Sequence, residues 1–323
     1  MPYMAQVADA ARTVLIGSQK GGVGKTSLVA GLGALAAQPQ PGRRVLVIDG
    51  DQQCNLSRRN LGLDGDGGRG LYSTIVLGEA LVPIRDVRPG LDVVPGGPAL
   101  AMVAGAAANA VAAGVDMSDN LSRALQGLTA SGEYALVLID LGPGDIALLD
   151  TVLGAVRYVV APHREDDADL DGVELLIKRV LRARRDINPS MTFLGTIAFG
   201  RDLRASARNA ALDQAVRDLL DGSGVTQFQA TVRYAPAAAR DARALGLTPQ
   251  ELIAHAEMAS TRRISRLRLR KRNGTITHNG DEPVLWARPE AADALAHDYL
   301  AVLKELLERI TAVETAHPAV VSA

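Results

Sequence analysis

The 323-residue chain has a single cysteine, Cys54, a single tryptophan, only 3% aromatic residues and almost no net charge, at −1. One cysteine excludes an internal disulfide framework and fits a cytosolic setting. Scarce aromatics leave the core to Ala, Val, Leu and Ile, and 47% hydrophobic residues supply enough of them. A charge near zero excludes a protein that coats nucleic acid with its whole surface, so any such binding must come from a local patch. The five histidines show no metal-ligand spacing. Met1 to Arg12 lacks a basic region followed by a long apolar run, so no signal peptide is expected. Gly96 to Val115 carries no charge, but it is mostly Ala and Gly with Asn109 inside. That is too weakly apolar to prefer lipid, and it reads as a small-residue helix with flexible flanks.

What the chain does have is alternation. Apolar runs at Thr13–Ile16, Val45–Ile48, Leu91–Val94, Ala135–Ile139, Tyr158–Ala161, Thr192–Ala198 and Gln227–Val232 are separated in most cases by helix-length segments, Thr26–Ala37, Ser118–Thr129, Ala168–Arg185 and Ala205–Leu220. Continuous apolar runs indicate strands buried on both faces, hence an α/β fold with a mostly parallel sheet flanked by helices. Pro289 to Ile310 places Ala292, Leu295, Tyr299, Leu303, Leu306 and Ile310 on one face, as a packing helix does.

The first strand leads into Lys20-Gly21-Gly22-Val23-Gly24-Lys25-Thr26-Ser27 and then a helix. A strand, a run of glycines and a Lys-Thr opening a helix form a phosphate cradle: glycines let backbone N–H groups close on phosphate oxygens, the lysine adds charge, and the hydroxyl is placed for Mg²⁺. The strict G-x-x-x-x-G-K-[ST] pattern fails at Gln19, and a second lysine, Lys20, precedes Lys25. The next strand ends Asp49-Gly50-Asp51-Gln52-Gln53-Cys54-Asn55, and Tyr134–Ile139 ends on Asp140, so carboxylates gather where open α/β sheets bind ligands.

With Lys20 as its early lysine, the cradle resembles the deviant Walker A motif of the ParA/MinD family of P-loop ATPases, closest to the ParA/Soj partition ATPases, over most of Thr13 to Leu247 and the last helix. The resemblance implies ATP and Mg²⁺ as ligands, with Gly21, Gly22, Val23, Gly24, Lys25, Thr26 and Ser27 binding ATP. By the same match Thr26, Asp49 and Asp140 face the metal, Asp51 positions the attacking water, and Lys20 reaches the partner's phosphates in a nucleotide-sandwich homodimer. Gln52 and Cys54 replace the family's usual proline and glycine, and Leu141-Gly142-Pro143-Gly144 replaces its Thr-Pro-Pro. The family's iron–sulfur branch needs two cysteines per subunit and is excluded.

The resemblance further implies a slow, partner-stimulated ATPase for plasmid or chromosome partition. Such a protein is cytoplasmic and nucleoid-associated, dimerises on ATP, binds DNA non-specifically, releases it on hydrolysis and answers to a ParB-like partner. The alternatives are a relative that positions another cargo on the nucleoid and a MinD-like membrane-positioning ATPase. Thr311 to Ala323 has no lysine or arginine, so a basic amphipathic membrane helix is missing there and no membrane partner is expected. With only about a dozen residues before the first strand, no N-terminal helix-turn-helix, and so no operator-binding autorepressor, is expected. One domain, 1–323, is expected, with residues 248–288 a basic insertion within it. There Arg262, Arg263, Arg266, Arg268, Arg270, Lys271 and Arg272 put seven bases into eleven residues. Asn273-Gly274 suggests a hairpin between Leu267–Arg272 and Thr275–His278, and with Arg233 these basic residues are the expected DNA contacts. Lys178, Arg179, Arg182, Arg184 and Arg185 read as an ordinary helix face.

Overall fold

The computed structural model describes residues 12–164, 167–273 and 285–316. Its elements run β1 (Arg12–Ile16), α1 (Lys25–Ala36), β2 (Arg44–Gly50), α2 (Arg69–Leu77), β3 (Ile84–Arg88), β4 (Leu91–Val94), α3 (Val103–Ala113), α4 (Met117–Thr129), β5 (Tyr134–Leu141), α5 (Ile146–Ala155), β6 (Tyr158–His163), α6 (Asp167–Asp186), β7 (Thr192–Arg201), α7 (Ser206–Leu220), β8 (Val232–Arg233), α8 (Pro236–Leu245), α9 (Pro249–Asn273) and α10 (Pro289–Ala316). The strands form one sheet in the order β3-β4-β2-β5-β1-β6-β7-β8, parallel except at the β3–β4 edge.

The apolar runs are continuous because both faces are covered. Val14, Ile16, Val47 and Leu138 join a layer with Leu28 and Leu32 of α1 and Tyr299, Val302 and Leu306 of α10. Their neighbours Leu15, Leu46, Val137 and Ile139 join a second layer with α2 to α6. Side chains alternate across a strand, so each run serves both cores. Lys178, Arg179, Arg182 and Arg185 pair with Glu174, Asp150 and Asp186, the ordinary helix face expected of them.

Three readings are corrected. Of Gln227–Val232 only Val232 lies in a ladder, because the backbone of this run is satisfied elsewhere. Gln229 and Ala230 donate to the Glu305 carboxylate at 3.0 and 2.8 Å, and Arg309 caps the Thr226 and Gln227 carbonyls. The hairpin expected around Asn273-Gly274 is not formed, since Leu267–Arg272 belongs to α9; Thr275–His278 lies outside the described residues. The helix starts at a capping box, with Thr248 N donating to Glu251 at 2.8 Å and Glu251 N to Thr248 Oγ1 at 3.4 Å. Pro249 fills its first position, and a run of Ala, Glu, Arg and Leu with no glycine carries it on. Around α3 the flanks are not slack: Pro98–Met102 is a 3₁₀ turn, and a Cβ at Gly97 would lie 2.4 Å from the Gly67 carbonyl carbon.

The end of the sheet away from the cradle is closed by Asp92, which is wholly buried. Burial alone would raise its carboxyl, but hydrogen bonds from Arg44, the Asp86 N–H, Tyr134 and Arg85 outweigh this and hold it at about 2. The folded pKa is therefore depressed below an unfolded value of about 3.9, so the stabilisation is complete above that pH and lost as pH falls through about 2, roughly 2–3 kcal/mol in all. The urea midpoint should drop across that window, and Asp92→Asn should lower stability at neutral pH while flattening the drop. Parallel curves for the two proteins would contradict this role.

Candidate nucleotide site

Register brings the acids together. In the parallel pairing of β2 with β5, Asp49 stands beside Asp140, and in that of β1 with β5, Ile16 stands beside Asp140, so the cradle that follows β1 opens over both carboxylates. Gly24 caps α1 at φ 95°, and a Cβ there would meet the Phe199 ring at 2.3 Å, so both backbone conformation and space require glycine. Lys25 is buried and its Nζ donates to the Lys20 carbonyl at 2.8 Å, closing the loop across itself. Burial lowers the Lys25 pKa, while Asp140 and Asp51 act to raise it. Lys20 stands exposed at the apex, its N–H on Ser18 Oγ at 3.2 Å. Gly172 of α6 backs it closely: a Cβ there would lie 3.1 Å from Lys20 Cβ.

Asp49 is fully buried and tied down: Oδ2 accepts from Ser57 N at 2.8 Å and Ser57 Oγ at 2.6 Å, and Oδ1 accepts from Asp51 N at 3.1 Å. Burial still raises its pKa against these bonds. Asp51 accepts from Gln53 N at 2.9 Å and Asn55 Nδ2 at 3.0 Å. Asp140 is the unbalanced member. Among the described residues neither of its buried oxygens has a hydrogen-bond partner. Burial, and then the Asp49 charge, push its carboxyl up to about 8; Thr26 and Lys25 act the other way, although no hydrogen bond of acceptable geometry reaches it. Two adjacent buried carboxylates, one of them orphaned, with a hydroxyl at the head of α1, suit a divalent cation of the Mg²⁺ type, which takes one or two carboxylates and completes its shell with water and phosphate. No cluster of three or more His, Cys, Asp or Glu side chains placed to hold a metal occurs among the described residues.

The structure thus gathers Gly21 to Ser27, Asp49, Asp51 and Asp140 at one end of the sheet. It adds residues that sequence reasoning missed. Ser57 holds Asp49; Gly96 is pressed against the Asp49 and Asp51 carbonyls, where a Cβ would come within 2.5 and 2.7 Å; and Gly142 faces Asp51, where a Cβ would lie 2.7 Å from Oδ1. Glycine in the strand-end loops was a visible signal, but the contacts come from distant segments. A cleft of about 1100 Å³ lies beside the cradle rather than in it, bordered by Gln52, Ala104, Ala107, Pro143 and Ile146. Arg233 is taken up by Asp298, which it meets at 2.6 and 2.7 Å. Arg262, Arg263, Arg266, Arg268, Arg270, Lys271 and Arg272 all fall on the second half of α9, away in sequence from the cradle.

The fold and this set of residues define a P-loop nucleotide-binding protein with a deviant, two-lysine cradle. Residues 11–193 match the AAA domain family AAA_31, and the chain is 32% identical over 237 residues to the chromosome partitioning protein ParA of Caulobacter vibrioides, across 70% of this chain and 81% of that protein. The chain belongs to the ParA/MinD family of P-loop ATPases. Two solved structures share its fold. A Borrelia burgdorferi B31 protein bound to AMPPNP superposes with TM-score 0.61 at 16% identity, covering 93% of this chain and all of that one. The pNOB8 ParA bound to nonspecific DNA superposes at 0.54 with 17% identity, covering 94% and 99%.

Removing the Lys25 ammonium should abolish nucleotide binding, read by titrating Lys25→Ala with a fluorescent ATP analogue; undiminished binding would remove the cradle assignment. Gly142→Ala should displace the Asp51 carboxylate and, like Asp51→Ala, keep nucleotide binding while slowing hydrolysis by about 10²-fold or more. Normal turnover in both variants would show that Asp51 is structural.

Proposed function

We propose that this chain is an ATP-dependent partition ATPase that dimerises on Mg·ATP, holds DNA without sequence preference and lets go after hydrolysis, slowly unless a ParB-like centromere-binding partner stimulates it. The observation that carries the proposal is the contrast between the two cradle lysines. Lys25 is buried against its own loop, whereas Lys20 is exposed at the apex with no acidic partner for its side chain among the described residues. One lysine serves its own subunit and the other is free to serve a second. The name of the Caulobacter relative and the nonspecific DNA in the pNOB8 ParA structure support the DNA side of the proposal. The function would place the protein on the nucleoid of the cytoplasm.

In this mechanism the N–H groups of Gly21 to Gly24 receive the phosphates, and Lys25 neutralises charge on the transferred group. Mg²⁺, held through Thr26, Asp49 and Asp140, would supply electrostatic stabilisation of charge on the β- and γ-phosphate oxygens. Asp51, fixed by Gln53 and Asn55, orients the water. Lys20 adds its charge to the partner's phosphates, so the complete site exists only in the dimer. We read residues 1–323 as a single ATPase domain in which 248–288 is a basic elaboration. No helix among the described residues is long and apolar enough to cross a membrane.

A single basic helix holds few phosphates, so one subunit binds DNA weakly, with Kd of roughly 10⁻⁴–10⁻⁶ M at physiological salt. Two such helices joined by ATP act on one duplex, and avidity rises by about 10²–10⁴ without any new contact. Filter binding with and without ATP should therefore show ATP-dependent, sequence-indifferent affinity that falls steeply with salt. Replacing Arg266, Arg268 and Arg270 with alanine should flatten the salt slope and leave dimerisation intact in sedimentation. Equal DNA binding by the apo and ATP forms would refute the switch.

A further inference from the structure

The segment after Asp51 does more than end a loop. Cys54 takes a left-handed conformation at φ 45°, and Asn55–Asn60 then forms a π-helical turn, with Leu61 N donating to the Leu56 carbonyl at 3.1 Å. Such turns are rare and collect at functional positions. The turn has two sides. Leu56, Ser57 and Asn60 face inward and are buried, while Arg58 and Arg59 are exposed and have no hydrogen-bond or ion-pair partner for their side chains among the described residues. By contrast, Arg88 is neutralised by Glu251, and Arg233 by Asp298.

The inward side grips the nucleotide site. Ser57 gives both its N–H and its hydroxyl to Asp49 Oδ2, and Asn55 gives its amide to Asp51 Oδ2. Arg58 follows Ser57 directly, so any shift of those two carboxylates moves the backbone that carries the arginines. The other side of the segment is fastened to α8 and to the start of α9. Arg88 binds the Leu61 carbonyl at 3.3 Å, the Gly246 carbonyl at 2.9 Å and the Glu251 carboxylate at 2.5 Å, clamping the turn to α8 and to the first turn of α9. A Cβ at Gly246 would lie 3.2 Å from Gly62, so α8 and the end of this segment are in direct contact. Arg240 and Arg243 of α8 are also exposed, Arg240 over the Trp286 ring at 4.5 Å.

We propose that Arg58 and Arg59 form a second contact for the phosphodiester backbone of duplex DNA, continuous with α8 and α9 and positioned by the occupancy of the nucleotide site through Ser57 and Asn55. Guanidinium groups that are exposed, adjacent and unneutralised match phosphate oxygens in geometry and charge. The turn itself is the coupling element, because a single short segment bonds to both carboxylates at the end of β2, Asp49 and Asp51, and presents both cations. The proposal rests on the partition reading, and it adds where nucleotide and DNA meet.

The test is filter binding of random-sequence duplex DNA to the full chain over a salt series, with and without ATP, for the wild type, Arg58→Ala/Arg59→Ala and Arg58→Lys/Arg59→Lys. With ATP the alanine pair should lower the slope of log K against log salt by about 2 per subunit, since each lost phosphate contact removes about 0.9. Without ATP the loss should be less than half as large. The lysine pair should keep the slope, because it keeps the charge. ATP-driven dimerisation and basal hydrolysis should be unchanged in both variants. An unaltered slope in the alanine pair, alongside normal wild-type binding, would overturn the site, as would a lysine pair that loses as much as the alanine pair. Equal losses with and without ATP would overturn the coupling. A wild type that binds no DNA in either state would instead overturn the partition reading, and this proposal with it.

Discussion

Asp49 and Asp140 sit side by side on adjacent central strands, both out of water, with the Lys25 ammonium acting on Asp140 and Asp51. Like charges in a low-dielectric interior repel strongly, and the desolvation of each adds to the cost. The surrounding chain offsets only part of it. Ser57 satisfies Asp49, no described residue satisfies Asp140, and the carboxyl of Asp140 rises accordingly. Such a pair survives because β1, β2 and β5 are locked between two apolar layers, which set the register regardless of what the strand ends carry. The pair is held in place by packing rather than by its own bonds, with Asp140 left without a hydrogen-bond partner among the described residues.

Close backbone approach follows from that crowding. Gly50 lies where a Cβ would meet Leu141 at 2.4 Å, Gly96 touches the carbonyls of Asp49 and Asp51, and Gly142 faces the Asp51 carboxylate. Segments from three parts of the chain thus converge on one group of carboxylates. At such close approach there is no slack between these segments and the acids.

The central strands and the cradle were legible because their signals are local: runs buried on both faces, and glycines next to Lys25 and Thr26. Ser57, Gly96 and Gly142 were not, since their roles arise only when distant loops meet. The antiparallel edge strand β3 escaped notice because its first half, Ile84-Arg85-Asp86, is exposed and charged, with Arg85 tied to Asp92 and Glu133. The misread hairpin shows how local cues compete. Asn273-Gly274 and an Arg/Leu alternation suggested strands, yet Thr248-Pro249-Gln250-Glu251 had already started a helix whose Leu252 and Ala256 are anchored in the core. Arg233 illustrates another limit, for sequence marks a cation but not the Asp298 that occupies it.

The junction at Asp241 fixes where the chain rejoins the core. Buried on α8, it accepts the N–H groups of Trp286 and Ala287 at 2.6 and 2.7 Å, stitching the returning chain to the core just before α10. The excursion that leaves through α9 is thereby fastened at its root, and loop-closure entropy changes only slowly with the length of what lies between. The seating of α10 is thus set by two backbone N–H bonds to Asp241 and not by the length of chain between α9 and Trp286, so that stretch could be lengthened or shortened at little cost to the core.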